Sequence, residues 1–430
     1  PLTGADVRFG FSTIERWYYE AKNAPTDPVG RLRKKLRKDT GRQTAIGDAL
    51  KQAIHSQYTA HRSWSYQLHH DNLAAWVEAE PELGALPAYA TVRRYMKSVG
   101  LTKRRKIGGE PTEGKRRAER RLDEREVRSY ENEYVNGLWH LDFHHGKKKV
   151  LVVRGEYVAP IVCGILDDHS RLACHLQWYF AENAENLVHG LAQANHKRGL
   201  PRSLMTDNGA AMTADETRQG LARLGIVHET TLPHSPYQNA KQENFWAQLE
   251  GRLVAMLENV SDLSLARLNE ITQAWVEGEY NRKRHSEIGT TPLRRFLDGK
   301  DVGRPSPTSE ALRQAFCAQE RRTQRKSDGT ISLEARRFEL PSRYRHLDHV
   351  TLRFASWDLS WVHLVDERTG AVLCRLYPLD KAANADGLRR TLEPLVELAG
   401  TVVPAPEMPP LLAKLVAAQS DTGLPPAYLP

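Results

Sequence analysis

Residues 203 to 209 read Ser-Leu-Met-Thr-Asp-Asn-Gly, a short apolar run that stops dead at turn-forming residues, and no other stretch constrains the fold as much. The run has the length of a buried strand, so Asp207 is expected at a strand's carboxyl end. Downstream, Pro233 and Pro236 interrupt any helix, but from Ala240 the residues Phe245, Leu249, Leu253 and Met256 recur at helical spacing as one apolar stripe. At about 100° per residue Glu243 falls off that stripe, on a face shared with Ala247 and Glu250 and turned away from the packing side. A third acid, Asp142, lies inside Gly137-Leu138-Trp139-His140-Leu141-Asp142-Phe143. That segment reads as a strand, where an ionised carboxylate is costly unless a cation or a donor meets it.

Each acid alone has an ordinary reading: a turn residue or helix cap for Asp207, a solvated surface charge for Glu243. Their joint order on strand, strand end and helix is much harder to explain that way. Three further motifs accompany them: Asp167-Asp168-His169-Ser170-Arg171, Thr206-Asp207-Asn208-Gly209, and the run from Ser235-Pro236 through Asn239, Lys241 and Glu243. Together these residues resemble the acidic triad and its surroundings in DDE transposases and integrases of the retroviral integrase superfamily, with a likeness to bacteriophage Mu transposase and insertion-sequence transposases. The resemblance implies a ribonuclease H-like catalytic core and two Mg²⁺ ions per active site, or Mn²⁺ in their place, held by Asp142, Asp207 and Glu243. It also implies the reaction: water cuts at a transposon end to free a 3′ hydroxyl, which is then joined to target DNA. Two rival readings share the fold, a catalytically silent DNA-binding regulator and a ribonuclease H-like nuclease. No Lys or Arg stands at Ala247 or Glu250, so contacts to a DNA end from the Glu243 helix fall to Lys241, Gln242 or Asn244. His144, His145 and His169 are read as DNA-facing or structural, not as metal ligands.

Single cores rarely grow past about 250 to 300 residues, so a chain of 430 residues is expected to be an α/β multidomain protein. Residues 1–58 read as a partial helix-turn-helix and a basic segment, in which Ser12 caps a short helix carrying Arg16, followed by Arg33 and Lys34 in a charge run. Residues 59–106 read as a second helix-turn-helix, whose last helix offers Thr91, Arg93, Arg94 and Lys97 to DNA before the basic residues Arg104 and Arg105. A basic linker helix (107–132) leads to the catalytic domain (133–299) and a second basic linker (300–326). Alternating short strands in 327–380 suggest a small β-barrel resembling the one that follows the Mu catalytic domain. Residues 381–430 read as a helical, Pro-rich tail.

A net charge of +9 points to an acidic polymer as partner, here double-stranded DNA as transposon ends and target. Two ends must meet one target, so a homo-oligomer is expected, a tetramer on DNA. The apolar residues Leu424, Tyr428 and Leu429 among prolines suggest that the tail from Leu411 to Pro430 is a docking peptide, and the resemblance to Mu transposase implies an AAA+ ATPase as its partner. No run of about 18 apolar residues exists to span a membrane. The four cysteines show no close pairing that would suggest zinc or a disulfide framework, which fits a reducing cytoplasm, and the resemblance implies a bacterial, nucleoid-associated protein. The chain begins with Pro1, so its natural start is expected upstream.

Overall fold

A computed structural model describes residues 8–33, 45–103, 131–146, 148–151, 156–231, 240–260, 263–380 and 408–422. Helices α1 (Phe11–Lys22), α2 (Pro28–Leu32), α3 (Asp48–Ala60), α4 (Tyr66–Ala79) and α5 (Tyr89–Ser98) come first. α1 buries none of its side chains, and Gly10, not Ser12, stands at its amino-terminal cap. α3, α4 and α5 share one core that includes Leu50, Ile54, Leu73, Val92 and Met96. The boundary expected at residue 58 therefore falls inside α3. The stripe of that helix looks broken in sequence because its fourth buried position is Gln57, whose side chain meets His69 Nδ1 at 2.9 Å.

The region expected to be catalytic is built on strands β1 (Leu138–His145), β2 (Val150–Leu151), β3 (Tyr157–Val158), β4 (Ile161–Asp167), β5 (Ala173–Tyr179), β6 (Ser203–Thr206) and β7 (Val227–Thr230). Interleaved with them are α6 (Ala184–Arg198), α7 (Ala210–Thr213), α8 (Asp215–Arg223), α9 (Ala240–Leu249) and α10 (Leu265–Gly278). Five strands form one sheet in the order β5-β4-β1-β6-β7, with β1, β4 and β5 antiparallel and β6 and β7 running parallel to β1. This is the ribonuclease H-like arrangement that the motifs implied. Period-two alternation sorts the strand residues onto two faces. Trp139, Leu141, Phe143, Cys163 and Ile165 pack with α6 and α8, while Val162, Leu166 and Trp178 pack with Phe245, Leu249 and Trp275 of α9 and α10.

Beyond the sheet come α11 (Pro292–Asp298) and α12 (Ser309–Ala315). Residues 300–326 are not a linker. Asp301 and Arg304 bridge to Val135 and Leu200, and Leu312 and Phe316 enter the core around α6 and α8. Residues 318–325 then form β8 (Ala318–Arg325), the first strand of a second sheet. This strand escapes a hydrophobicity reading because only Ala318 and Gln324 along it are buried. It continues with β9 (Thr330–Leu333), β10 (Arg336–Glu339), β11 (His349–Ala355), β12 (Asp358–Val365) and β13 (Val372–Leu376), in the order β10-β9-β8-β11-β12-β13. β9 and β10, expected as one strand, are separated by Glu334 and Ala335, both at positive φ. The two edges of the sheet meet where Glu339 N donates to Tyr377 O at 3.0 Å and Leu379 N to Arg337 O at 2.7 Å.

The last described element, α13 (Pro410–Asp421), corrects the expectation of a free tail. Leu412 and Val416 are buried in the same core as Trp275 of α10 and Leu68 of α4. Leu411 N also donates to Asn72 Oδ1 at 3.2 Å, so α13 lies across the helical module and the catalytic region together. The helix had been read as tail because its apolar residues find partners only on elements far away in sequence. No described helix is long and apolar enough to cross a membrane.

Candidate active site

Asp142 stands on β1, on the face of the sheet that α9 covers, and is half-buried. β1 pairs with β6 in parallel, with Leu138 opposite Ser203, Trp139 opposite Leu204 and His140 opposite Met205. Continuing that register by two residues sets Asp142 opposite Asp207, on neighbouring strands about 4.8 Å apart and on one face. Asp207 is exposed where β6 ends, and its Oδ1 accepts from Gly209 N at 2.9 Å. Asn208 Nδ2 donates to Thr231 O at 3.0 Å, which ties the turn to the end of β7. The Asp-Asn-Gly sequence thus forms the turn that its residue types suggest, and the turn fixes the direction of the Asp207 carboxylate.

α9 lies against β1 and β4 through three side chains. Gln242 Nε2 donates to Gly164 O at 3.0 Å, and Gly164 is the residue on β4 opposite Asp142. Trp246 fills the space that a side chain on Gly164 would occupy, and its Nε1 donates to Asp142 Oδ2 at 3.1 Å. Lys241 forms an ion pair with the buried Asp168 just beyond β4. The face opposite the packing side carries Glu243 and Ala247, both exposed. Glu250, on the same side one turn further, meets His144 Nε2 at 3.2 Å, and His144 stacks on Trp246 with ring centres 5.1 Å apart.

A fourth carboxylate borders the site. Glu182, in the turn between β5 and α6, lies 3.7 Å from His145 Nε2 and 3.3 Å from where a side chain on Gly209 would begin. Burial pushes the Cys163 thiol up, and Asp142 and Glu182 add to that shift. His169 Nδ1 meets Asn132 O at 2.9 Å, a structural contact.

Mg²⁺ takes hard oxygen ligands and keeps several waters. Asp142 and Asp207 offer such oxygens from neighbouring strands, and Glu243 from the helix over them. As they stand, no three His, Cys, Asp or Glu side chains among the described residues gather closely enough to hold a metal ion. The donor chemistry fits Mg²⁺, and completing the set requires Glu243 to approach the two aspartates.

Of the residues expected on DNA, Arg93, Arg94 and Lys97 are exposed on α5 while Val92, Tyr95 and Met96 on its other side are buried. Thr91 is half-buried and accepts from Arg94 Nη2 at 3.4 Å. Arg16 on α1 and Arg33 after α2 are exposed. Lys34, Arg104, Arg105 and Asn239 lie outside the described residues. Lys241 turns its ammonium to Asp168 and is only 17 % exposed. Trp246, Gly164 and the pair of His140 and Asp168 had no assigned role in sequence. The last two stand in motifs flagged for their likeness, whereas Gly164 carries no signal of its own.

Residues 132–236 match the family model of the integrase core domain. Among proteins of similar sequence, the Pol polyprotein of an ovine maedi visna related virus is 26% identical over 174 residues, which covers 39% of this chain and 14% of that protein. The transposase for transposon Tn552 of Staphylococcus aureus is 26% identical over 183 residues, covering 39% of this chain and 38% of its own length. The chain thus spans well under half of these two relatives. An uncharacterized 39.2 kDa protein of insertion element IS476 from Xanthomonas euvesicatoria is 24% identical over 266 residues, covering 61% of this chain and 69% of that protein. Among solved structures, the HTLV-2 integrase catalytic core domain in complex with magnesium is 18% identical with a TM-score of 0.30, covering 37% of this chain and 96% of that one. Residues 132–236 are thus similar to an integrase core domain, and the proteins similar in sequence to this chain include a retroviral Pol polyprotein and a bacterial transposase.

Proposed function

We propose that the chain is a DDE-type DNA transposase that binds the ends of a mobile element, cuts them to free 3′ hydroxyls and joins these to target DNA. One observation carries this reading: the parallel register of β1 and β6 sets Asp142 beside Asp207 on the face covered by the helix that bears Glu243. Asp142, Asp207 and Glu243 would hold two Mg²⁺, which supply Lewis-acid stabilisation of the attacking and leaving oxygens of an in-line displacement. Trp246 orients Asp142 by its indole hydrogen bond, and the backbone of Gly209 orients Asp207. Hydrolysis of one phosphodiester frees the 3′ hydroxyl. Joining then exchanges one phosphodiester for another and needs no outside energy.

The three-helix unit of α3, α4 and α5 is read as a helix-turn-helix, with Arg93, Arg94 and Lys97 tracking phosphates and Thr91 beside them. Arg16 and Arg33 extend that basic surface. The closed edges of the second sheet fit a Mu-type barrel. Two ends and one target favour a tetramer on DNA, in a bacterial cytoplasm and on nucleoid DNA. An AAA+ ATPase that docks on the tail would have to use residues 423–430, since α13 is already buried against α4 and α10.

Single-turnover reactions with labelled end duplexes test the reading. The wild type should give joined products in Mg²⁺, and Asp207→Ala should bind ends but neither cut nor join them. Cleavage without joining would instead support a nuclease, binding alone a regulator, and strand transfer by Asp207→Ala would refute the triad.

A further inference from the structure

From the cluster of Asp168, His140 and Lys241 we infer that Lys241 is the positioning residue for Glu243, an assignment that rests on the transposase reading and removes Lys241 from the DNA-contacting residues. Asp168 follows the last residue of β4, and its side chain is 0% exposed. It accepts from His140 Nε2 at 2.6 Å, from Asn132 N at 2.6 Å and from Lys241 Nζ. Burial alone would raise the Asp168 carboxyl, but His140, Lys241 and the Asn132 amide hold it well below the usual carboxylate range. A carboxylate so placed stays ionised and needs its cation.

Lys241 is the second residue of α9 and stands two residues before Glu243. The first turn of a helix has amide groups without intrahelical partners and frays unless side chains hold it. Here two side chains do so, Lys241 on Asp168 and Gln242 on Gly164 O, and both reach the β1 and β4 pair that carries Asp142. The later turns of α9 have their own anchors in Phe245, Trp246 and Leu249. Loss of the Lys241 tie therefore loosens the turn that carries Glu243 and leaves the rest of the helix seated. Asp168 keeps two of its three donors in Lys241→Met, so that variant folds. Asp168→Leu, by contrast, strands a buried ammonium.

The two roles for Lys241 give different measurements. A phosphate contact sets both affinity and its salt dependence, so its loss weakens end binding and lowers the salt slope by about one. A positioning residue leaves affinity and slope alone and lowers the rate. With the full chain and a labelled end duplex in Mg²⁺, Lys241→Met should cut roughly 100-fold more slowly with an unchanged Kd at every salt concentration, and Lys241→Arg should recover part of that loss. Hydrogen exchange on the free protein gives a readout that does not depend on activity. The amides of Asn244, Phe245 and Trp246, whose acceptors are the carbonyls of residues 240–242, should exchange about tenfold faster in Lys241→Met, and those of α10 should not change. Unchanged exchange at these three amides overturns the inference, as does a parallel fall in affinity and salt slope. A wild type that fails to cut while exchange responds as expected refutes the transposase reading and leaves the tie in place.

Discussion

Gly164→Ala tests whether the close seat of α9 on the sheet matters to the chemistry. Gly164 faces Asp142 across β1 and β4, and a Cβ there would lie 2.4 Å from Trp246 Cη2, 3.1 Å from Cζ3 and 3.2 Å from Leu176 Cδ1. Carbon atoms pack at about 3.5 to 4.0 Å, so the indole must retreat by roughly 1 Å. The strand cannot yield instead, because β4 is paired on both sides, to β1 and to β5. Overpacking of this kind costs about 1 to 3 kcal/mol, and the smaller backbone entropy of Ala in the unfolded chain returns about 0.5 to 1 kcal/mol. The net loss, between about 0 and 2.5 kcal/mol, should lower the Tm by up to several degrees. The effect on rate should be larger. The retreat draws Trp246 Nε1 away from Asp142 and carries Glu243 with it, and displacements of about 1 Å cost on the order of 100-fold in rate. Thermal denaturation and single-turnover cleavage measure the two effects separately. Adding Trp246→Leu relieves the clash but should not restore the rate, because the hydrogen bond to Asp142 stays lost. A Gly164→Ala protein with wild-type Tm and wild-type rate would refute the packing argument.

Burial, with a smaller contribution from His61, lowers His69 from 6.5 to about 4. The unfolded chain takes up this proton below pH 6.5 while the folded chain does not until about pH 4, so stability is full above 6.5 and falls by about 3 kcal/mol on the way down to 4. Melting curves should fall more steeply over this range in the wild type than in His69→Gln, where other buried histidines such as His175 still contribute; equal slopes in the two proteins contradict it. Leu412 is 0% exposed, so Leu412→Ala should cost about 2 to 5 kcal/mol. Equal Tm values for Leu412→Ala and wild type would mean that α13 is not seated as described. Replacing Arg93 and Arg94 together should weaken end binding and flatten its dependence on salt between roughly 50 and 200 mM. Binding that keeps its full salt slope would take α5 off the DNA.

The three acids proposed for the site stand out in the sequence because each stands at a place where a carboxylate is out of keeping with its element. Asp142 interrupts an apolar strand, Asp207 follows one at a turn, and Glu243 leaves the stripe of its helix. β6 and the start of α9 lie where the sequence runs put them, to the residue. What holds the site together was not legible, because it depends on what lands on what. Gly164 is informative only once Trp246 occupies its place, and Lys241 looks like a surface cation until Asp168 is found buried beside it. β8 was hidden by its charges: a strand can be central in its sheet and still expose most of its side chains. α13 was taken for a tail because its core partners Leu68 and Trp275 lie in other modules of the chain.

The central claim is that Asp142, Asp207 and Glu243 form one metal site. Anomalous diffraction from crystals of the full chain with end DNA and Mn²⁺ measures this directly. The account predicts Mn²⁺ within coordinating distance of Asp142 and Asp207, with Glu243 brought in from α9 to complete the ligand set. Mn²⁺ held elsewhere, or Glu243 still turned away from a metal that both aspartates bind, would contradict it.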